Sequence, residues 1–112
     1  MTQDPVKNLL PKFMESLKVK GRSPATILAY KSDLDQLVEF LIEKEKVLPD
    51  QVRPGDLDSF RDTLLADKYT PKSVSRKLNA IKTFFRWMID QNLITSDHSA
   101  SVAHPKIESS LP

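Results

Sequence analysis

From residue 70 to residue 92 the chain reads TPKSVSRKLNAIKTFFRWMIDQN, a segment with the spacing of one amphipathic helix. Thr70 is placed to cap its start, and Pro71 occupies the first helical position, where a proline sacrifices no hydrogen bond. Because successive helical residues turn by about 100°, the large apolar residues fall on one stripe. These are Val74, Leu78, Ile81, Phe85 and Met88, with Phe84 and Ile89 beside them. We predict that this stripe faces a core shared with the other helices.

The opposite side of this helix is polar, and every charge on it is positive. Its residues are Lys72, Ser75, Arg76, Asn79, Lys82, Thr83 and Arg86. No Asp or Glu occurs between Lys72 and Arg86, so the ion pairs that usually stabilise an exposed helix are missing. Cations interleaved with small hydrogen-bonding groups suit phosphates and the edges of bases. The first hypothesis is therefore a contact with nucleic acid.

Two other interpretations of this basic face remain open. A solvated polar face is the ordinary explanation for one side of an arbitrary helix. A basic amphipathic helix can also bind a membrane surface or a calmodulin-like partner. This last interpretation is weakened because the other helices need the same apolar stripe for a common core. Trp87 lies at the border of the stripe, where a core-edge role is more ordinary than a base-stacking one.

The composition is that of one ordinary globular domain. The chain has 112 residues, of which 39% are hydrophobic and 29% charged, enough for one core and too few for two. Only two glycines occur, so a glycine-lined nucleotide loop is excluded, and without cysteine there is no disulfide framework or thiolate metal site. No segment resembles a signal peptide or a membrane span, so we expect a cytoplasmic protein that does not contact a membrane.

The net charge of +2 hides a segregation of charge along the chain. Residues 1–32 hold six basic and two acidic side chains, and residues 68–112 hold seven basic and three acidic ones. Residues 33–67 between them hold four basic and ten acidic ones. The two basic parts could share one surface while the acidic part points away. Chance clustering on solvated faces is the alternative.

Three further helices precede residue 70. The first carries apolar residues at helical spacing, namely Val6, Leu9, Leu10, Phe13 and Leu17, and Gly21 is placed to end it. Pro11 interrupts that pattern, so we expect the helix to start near Leu10 with Pro11 in its first turn; a kinked helix is the alternative.

The second helix opens at Ser23-Pro24 and should run to about Lys44. Its expected buried residues are Ile27, Leu34, Leu37, Val38, Leu41 and Ile42. The third begins at Pro54 and should end near Ala66, with Leu57, Phe60, Leu64 and Leu65 inward. Four helices with short connections predict an all-α bundle.

After Ile94 the sequence TSDHSASVAHPKIESSLP has the composition of a linker. We therefore predict a helical domain at residues 1–95 and a flexible linker at residues 96–112. His98 and His104 lie in this linker without the spacing of a metal pair. The acidic pairs Asp33/Asp35 and Asp56/Asp58 stand two residues apart, which turns them to different sides of a helix, so capping and solubility explain them best. We expect no active site, no metal and no cofactor.

Two longer patterns combine these local signals. One is Ser23-Pro24-x-Thr26-x-x-x-Tyr30-x-x-Asp33-Leu34. The other is Ser73-x-x-Arg76-x-Leu78-x-Ala80-Ile81-Lys82-x-Phe84-Phe85-x-Trp87. In this order and spacing they resemble the N-terminal core-binding domain of the tyrosine recombinases, the phage-integrase family. His104-Pro105-Lys106 and the terminal Leu111-Pro112 resemble the linker that leads into that family's catalytic domain.

The resemblance implies a four-helix, SAM-like orthogonal bundle that forms half of a C-shaped clamp around double-stranded DNA. Its second and fourth helices would face adjacent major grooves. The DNA-binding residues that the resemblance implies are Thr26, Tyr30, Lys31, Ser75, Arg76, Asn79, Lys82, Thr83 and Arg86. The basic residues Arg22 and Lys72 complete the predicted set. Thr26 and Tyr30 would donate to phosphates, which the cations would neutralise, and Asn79 or Arg76 would read a base edge. For Tyr30, a core-edge position with its hydroxyl in water is equally open.

The family cleaves DNA with a tyrosine of its C-terminal domain, and neither Tyr30 nor Tyr69 matches that motif. The resemblance therefore implies that this chain binds DNA without cutting it. It also implies a catalytic domain as partner in a full-length bacterial or phage recombinase, tetrameric on DNA, with the isolated domain monomeric. The alternative is a helical protein–protein interaction module, in which the acidic middle of the chain contacts a basic partner.

Overall fold

The computed structural model describes residues 4–106 and contains four α-helices in that range. They are α1 at Val6–Val19, α2 at Pro24–Glu43, α3 at Pro54–Ala66 and α4 at Pro71–Asp90, with a short 3₁₀ turn at Pro49–Gln51. No strand occurs in the described part of the chain. The prediction of an all-α four-helix domain is confirmed.

Two helices begin at the caps that the sequence predicts. The Ser23 hydroxyl accepts a hydrogen bond from the backbone N–H of Thr26 at 3.1 Å, and Thr70 accepts one from Ser73 at 3.2 Å. A proline follows each cap at the first helical position. Each cap satisfies one of the four backbone donors that a helix start leaves unpaired.

All four helices end in the same Schellman arrangement, in which a left-handed residue lets the chain turn back. After α1, Gly21 has φ +80°, and the next residue, Arg22, donates its N–H to the carbonyl of Leu17 at 3.0 Å. The equivalent left-handed residues after α2, α3 and α4 are Glu45, Lys68 and Asn92. The predicted role of Gly21 is confirmed, whereas the other three positions lack the glycine that usually marks this turn.

The start of α1 differs from the prediction. The helix begins at Val6 instead of near Leu10, and Pro11 lies inside it. Val6 and Leu9 are buried, and the Val6 N–H donates to the carbonyl of Val47 at 2.8 Å. Burying each such side chain contributes about 1.5–3 kcal/mol, which together offsets the roughly 3 kcal/mol cost of an internal proline. Pro11 itself is exposed.

The core forms around α4, whose predicted stripe is buried throughout. Phe13 of α1 meets Phe84 and Trp87 of α4, with ring centroids 5.1 and 5.6 Å apart. Ile42 contradicts its prediction, because it is 50% exposed. It is turned by about 100° from the fully buried Leu41. It therefore lies on the rim of a shallow apolar groove between the start of α1 and the end of α2.

The segment at residues 96–106 differs from the flexible linker that its composition predicts. Val102 is buried, and the carbonyl of the next residue, Ala103, accepts a hydrogen bond from the Arg61 guanidinium at 2.8 Å. His98 contacts the carbonyl of Val52 at 2.7 Å. One apolar side chain and a few polar contacts hold the segment, and composition does not reveal them. Leu111-Pro112 lies outside the described residues, and the division into domain and linker stays a prediction.

Candidate nucleic-acid interface

A depression in the surface, here called the basic cleft, lies where the α1–α2 turn meets the polar side of α4. Its lining residues are Lys20, Arg22, Asn79, Lys82, Thr83, Arg86, Asp97 and Ala100. Four of these side chains are cations and one is a carboxylate. The Asp97 carboxylate accepts a hydrogen bond from the Ser99 N–H at 2.9 Å, so it also shapes the turn of the segment beside it. The cleft therefore carries an excess of positive charge.

The wall of the cleft follows from the periodicity of α4. Asn79, Thr83 and Arg86 follow one another at helical spacing, and the Thr83 hydroxyl donates to the Asn79 carbonyl at 2.8 Å. The same stripe continues towards the start of the helix through Arg76 and the exposed Lys72. From Lys72 to Arg86 the stripe is about 21 Å long at 1.5 Å per residue. It is the acid-free face that the sequence predicts.

Arg76 is held by a carboxylate from another helix. Its Nε and Nη2 donate to Asp33 of α2 at 3.2 and 2.9 Å, while 56% of its side chain stays exposed. Asp33 is fully buried and also accepts from Lys77 Nζ at 2.9 Å. Asp33 is thus not the solubilising surface acid that the sequence predicts. The signal that could have revealed it is its place in the pattern with Tyr30 and Leu34, on the stripe of α2 that turns towards the core.

Two other predicted residues of α4 contact the segment that follows the helix. The Lys82 ammonium donates to the Val102 carbonyl at 2.6 Å, and the Ser75 hydroxyl lies 2.7 Å from His104 Nδ1. Partial burial, and secondarily the charge of Lys82, hold the pKa of His104 below its ordinary value. The segment therefore lies beside the basic face, and its His104 ring is the hydrogen-bond partner of the Ser75 hydroxyl. Lys82 retains two further N–H donors.

The predicted residues of α2 divide into two groups. The Thr26 hydroxyl accepts from Ser23 at 2.9 Å, and the Tyr30 ring lies nearly parallel to Phe13 with centroids 6.4 Å apart. This contact is the core-edge position considered for Tyr30. Lys31 pairs with Asp35 at 2.8 Å, both exposed, and it does not line the basic cleft. Helical geometry turns Lys31 by about 160° away from Asp33, the residue that faces α4.

The structure therefore assembles part of the predicted set. It brings together five of the predicted residues, Arg22, Asn79, Lys82, Thr83 and Arg86, and adds Lys20, which sequence reasoning missed. In residues 4–106 no group of three His, Cys, Asp or Glu side chains is placed to hold a metal ion. None of the helices in this range has the length and apolar character needed to cross a bilayer.

The fold and this surface define the class of the protein: a small all-helical domain with a cationic cleft beside its amphipathic last helix, α4. The model of the family described as "phage integrase, N-terminal SAM-like domain" matches residues 10–92. The chain belongs to this family, and the resemblance inferred from its two sequence patterns is confirmed.

Full-length relatives extend well beyond the matched region. A protein named tyrosine recombinase XerC from Herpetosiphon aurantiacus is 34% identical over 104 residues, which cover 92% of this chain and 34% of that protein. Tyrosine recombinase XerD from Bifidobacterium longum is 31% identical over 93 residues, covering 83% and 30%. The chain thus spans about a third of the length of the curated relatives it matches.

A solved structure shares the fold. It is the crystal structure of the N-terminal domain of a phage integrase/site-specific recombinase from Haloarcula marismortui. The TM-score is 0.84 at 12% sequence identity, and the match covers 94% of this chain and all of that one. At this identity the likeness establishes the SAM-like fold alone, which confirms the predicted architecture.

Proposed function

We propose that this domain binds double-stranded DNA through the basic cleft and the polar stripe of α4, as the core-binding part of a site-specific tyrosine recombinase. The observation that carries the proposal is the convergence of Lys20 and Arg22 with Lys82 and Arg86 around one depression. Lysine and arginine side chains on one surface neutralise phosphates and release condensed counterions, which is the main source of sequence-independent affinity for DNA.

The exposure and contacts of the side chains support a separate proposed role for each. Arg22, Lys72 and Arg86 are exposed and would neutralise phosphates. The half-buried Lys82 would add its charge through the N–H donors that its contact with the Val102 carbonyl leaves over. Asn79 is the best candidate for reading a base edge, since its exposed amide lines the cleft and can both donate and accept. Thr26 and Tyr30, near the start of α2, would contact the sugar–phosphate backbone of the DNA. Lys31 would contribute through its charge alone.

The rest of the proposal concerns the full-length protein. The relatives are named tyrosine recombinases and are about three times as long as this chain, so strand cleavage and joining would reside in a C-terminal catalytic domain. This domain would then contribute grip and some sequence preference, and the full-length protein would act in the cytoplasm as a tetramer on DNA. An isolated domain binds more weakly, because it lacks the effective concentration that a tethered partner supplies.

The test is duplex binding measured by fluorescence anisotropy at several salt concentrations. Replacing Arg22 or Arg86 by alanine should weaken binding and lower the slope of log affinity against log salt by about one each. Lys7→Ala is the matched control, because Lys7 is exposed at the other end of α1 from Lys20. Equal losses in all three variants would show that the face is wrong. Absent or salt-independent binding would favour the protein–protein interaction module.

A further inference from the structure

The Asp33 carboxylate is an unusual group in this domain, since it is completely buried and contacts two cations at once. It accepts from Arg76 through Nε at 3.2 Å and Nη2 at 2.9 Å, and from Lys77 through Nζ at 2.9 Å. A buried charge persists only when its partners compensate for lost hydration. Here three hydrogen bonds do so, and the two cations exceed the single negative charge by one.

The two cations both donate to Asp33 Oδ1, but they differ in their exposure to solvent. Only 7% of the Lys77 side chain is exposed, and its ammonium also lies 5.2 Å from the centre of the Tyr69 ring. Gln36 of α2 donates to the Tyr69 hydroxyl at 3.1 Å, which fixes that ring. Lys77 is therefore enclosed. Arg76, in contrast, is 56% exposed on the polar stripe of α4.

Because of this difference in exposure, Lys77 can neutralise Asp33 while Asp33 orients the guanidinium of Arg76. Lys77 compensates the charge of Asp33 from inside, so the positive charge of Arg76 remains available to an external anion. The two-pronged contact uses two of the five N–H donors of the Arg76 guanidinium and leaves three. It also fixes the plane of the group, and side-chain ordering is one of the costs that weaken binding.

We propose that Asp33 is a positioning residue for DNA binding, which holds the Arg76 guanidinium with its free edge towards a DNA phosphate. This inference rests on the proposed function, because it needs DNA on the polar stripe of α4. A lysine at position 76 would keep the charge, but its ammonium lacks the planar fork that a carboxylate grips on one edge while a phosphate binds the other.

The first experiment compares alanine and lysine variants at two positions by anisotropy with one duplex. At Arg86, which no carboxylate contacts among the described residues, lysine should recover most of the affinity that alanine loses. At Arg76, lysine should recover little, and both variants should bind about tenfold more weakly than the wild type, the scale of one charge-assisted contact. Arg86 is exposed, and Lys77 still pairs with the buried Asp33 when Arg76 is replaced, so the variants should fold, which circular dichroism verifies.

The second experiment removes the anchor without changing the net charge. Asp33→Asn alone would leave the Lys77 ammonium buried without a counter-charge, so it is combined with Lys77→Met. An uncharged amide offers one acceptor oxygen where the carboxylate offers two, so it cannot form the two-pronged, charge-assisted contact that holds Arg76. The double variant should bind DNA as weakly as Arg76→Ala, and adding Arg76→Ala to it should cost little more. Circular dichroism and thermal unfolding verify that the fold is retained.

The outcomes separate this inference from the proposed function. Absence of DNA binding by the wild type, or no loss in Arg86→Ala, would refute the proposed function itself. If Arg76→Ala weakens binding while Arg76→Lys binds like the wild type, Arg76 contributes only its positive charge. The orientation of its guanidinium would then not matter, and the proposal that Asp33 is a positioning residue would be refuted. Should the double variant fail to fold, the comparison of lysine variants at positions 76 and 86 decides.

Discussion

Replacing Val102 by alanine should loosen the segment at residues 96–106 from the helical bundle. Val102 is 3% exposed and belongs to the same core cluster as the buried side chains of α4. Its carbonyl also accepts the Lys82 ammonium, and the next carbonyl accepts Arg61. Val102 is thus the main apolar contact of a segment that is otherwise poor in large apolar groups.

The expected loss follows from the buried area that the substitution removes. Valine to alanine deletes two carbon groups worth about 0.8 kcal/mol each, and a residual cavity brings the loss to about 2 kcal/mol. For a domain of this size that corresponds to about 10 °C in Tm. The loss cannot exceed the free energy with which the segment docks, because a released segment has no further contacts to lose.

Two measurements follow the change. Thermal unfolding reports the stability of the domain, and amide hydrogen exchange reports the segment, in which the Val102 N–H donates to Ser99 and the Ala100 N–H to Asp97. Ser101→Ala, at an exposed neighbouring position, is the control. We expect lower Tm and faster exchange in Val102→Ala alone. Identical Tm and exchange in both variants would refute the reasoning, since burial of Val102 would then carry no energy.

Two further predictions concern folding stability. Burial by itself would raise the pKa of Asp56, but hydrogen bonds from Lys46 and the Arg53 N–H, with the charges of Lys46 and Lys44, lower it below the ordinary 3.8. A lowered native pKa means that this contribution is present above pH 3.8 and is lost as the pH falls through the native value. Urea unfolding from pH 5 to pH 2 should therefore show a shallower loss in Asp56→Asn than in the wild type; parallel curves would contradict the assignment. At the end of α3, Lys68 has φ +72°, so Lys68→Gly should raise the free energy of unfolding by about 1 kcal/mol. Gly21→Ala should lower it by a similar amount, because the new methyl group has space and only the backbone is strained. A Tm that moves in the same direction in both variants would show that backbone strain is not the cause.

The local signals of the sequence were sufficient for most of the fold. Ser23 and Thr70 cap helices because the donors they satisfy lie three residues away, and Gly21 ends α1 by contacts within five residues. Such interactions depend on nearby chain and can be read directly. Pro11 could not be placed this way, because α1 extends back to Val6 through the burial of Val6 and Leu9 in the shared core and through the Val6 contact with Val47.

The candidate site was predictable in part for the same reason. Helical periodicity alone places Asn79, Thr83 and Arg86 on one stripe of α4. It could not show that Asp33, 43 residues before Arg76, is buried beneath it. Periodicity also could not show that the Val102 carbonyl contacts Lys82, because one apolar residue in a polar segment forms no repeating hydrophobic pattern.

The sequence by itself determined four helices, the caps that open α2 and α4, and a long helix with an apolar side and an acid-free side, since each depends on neighbours within about one or two turns. Tertiary structure alone decided which cations converge. The turn after α1 brings Lys20 and Arg22 beside the C-terminal half of α4. The packing of α2 on α4 brings Asp33 within hydrogen-bond distance of Arg76. These contacts join residues more than forty positions apart, where distance along the chain says nothing about distance in space.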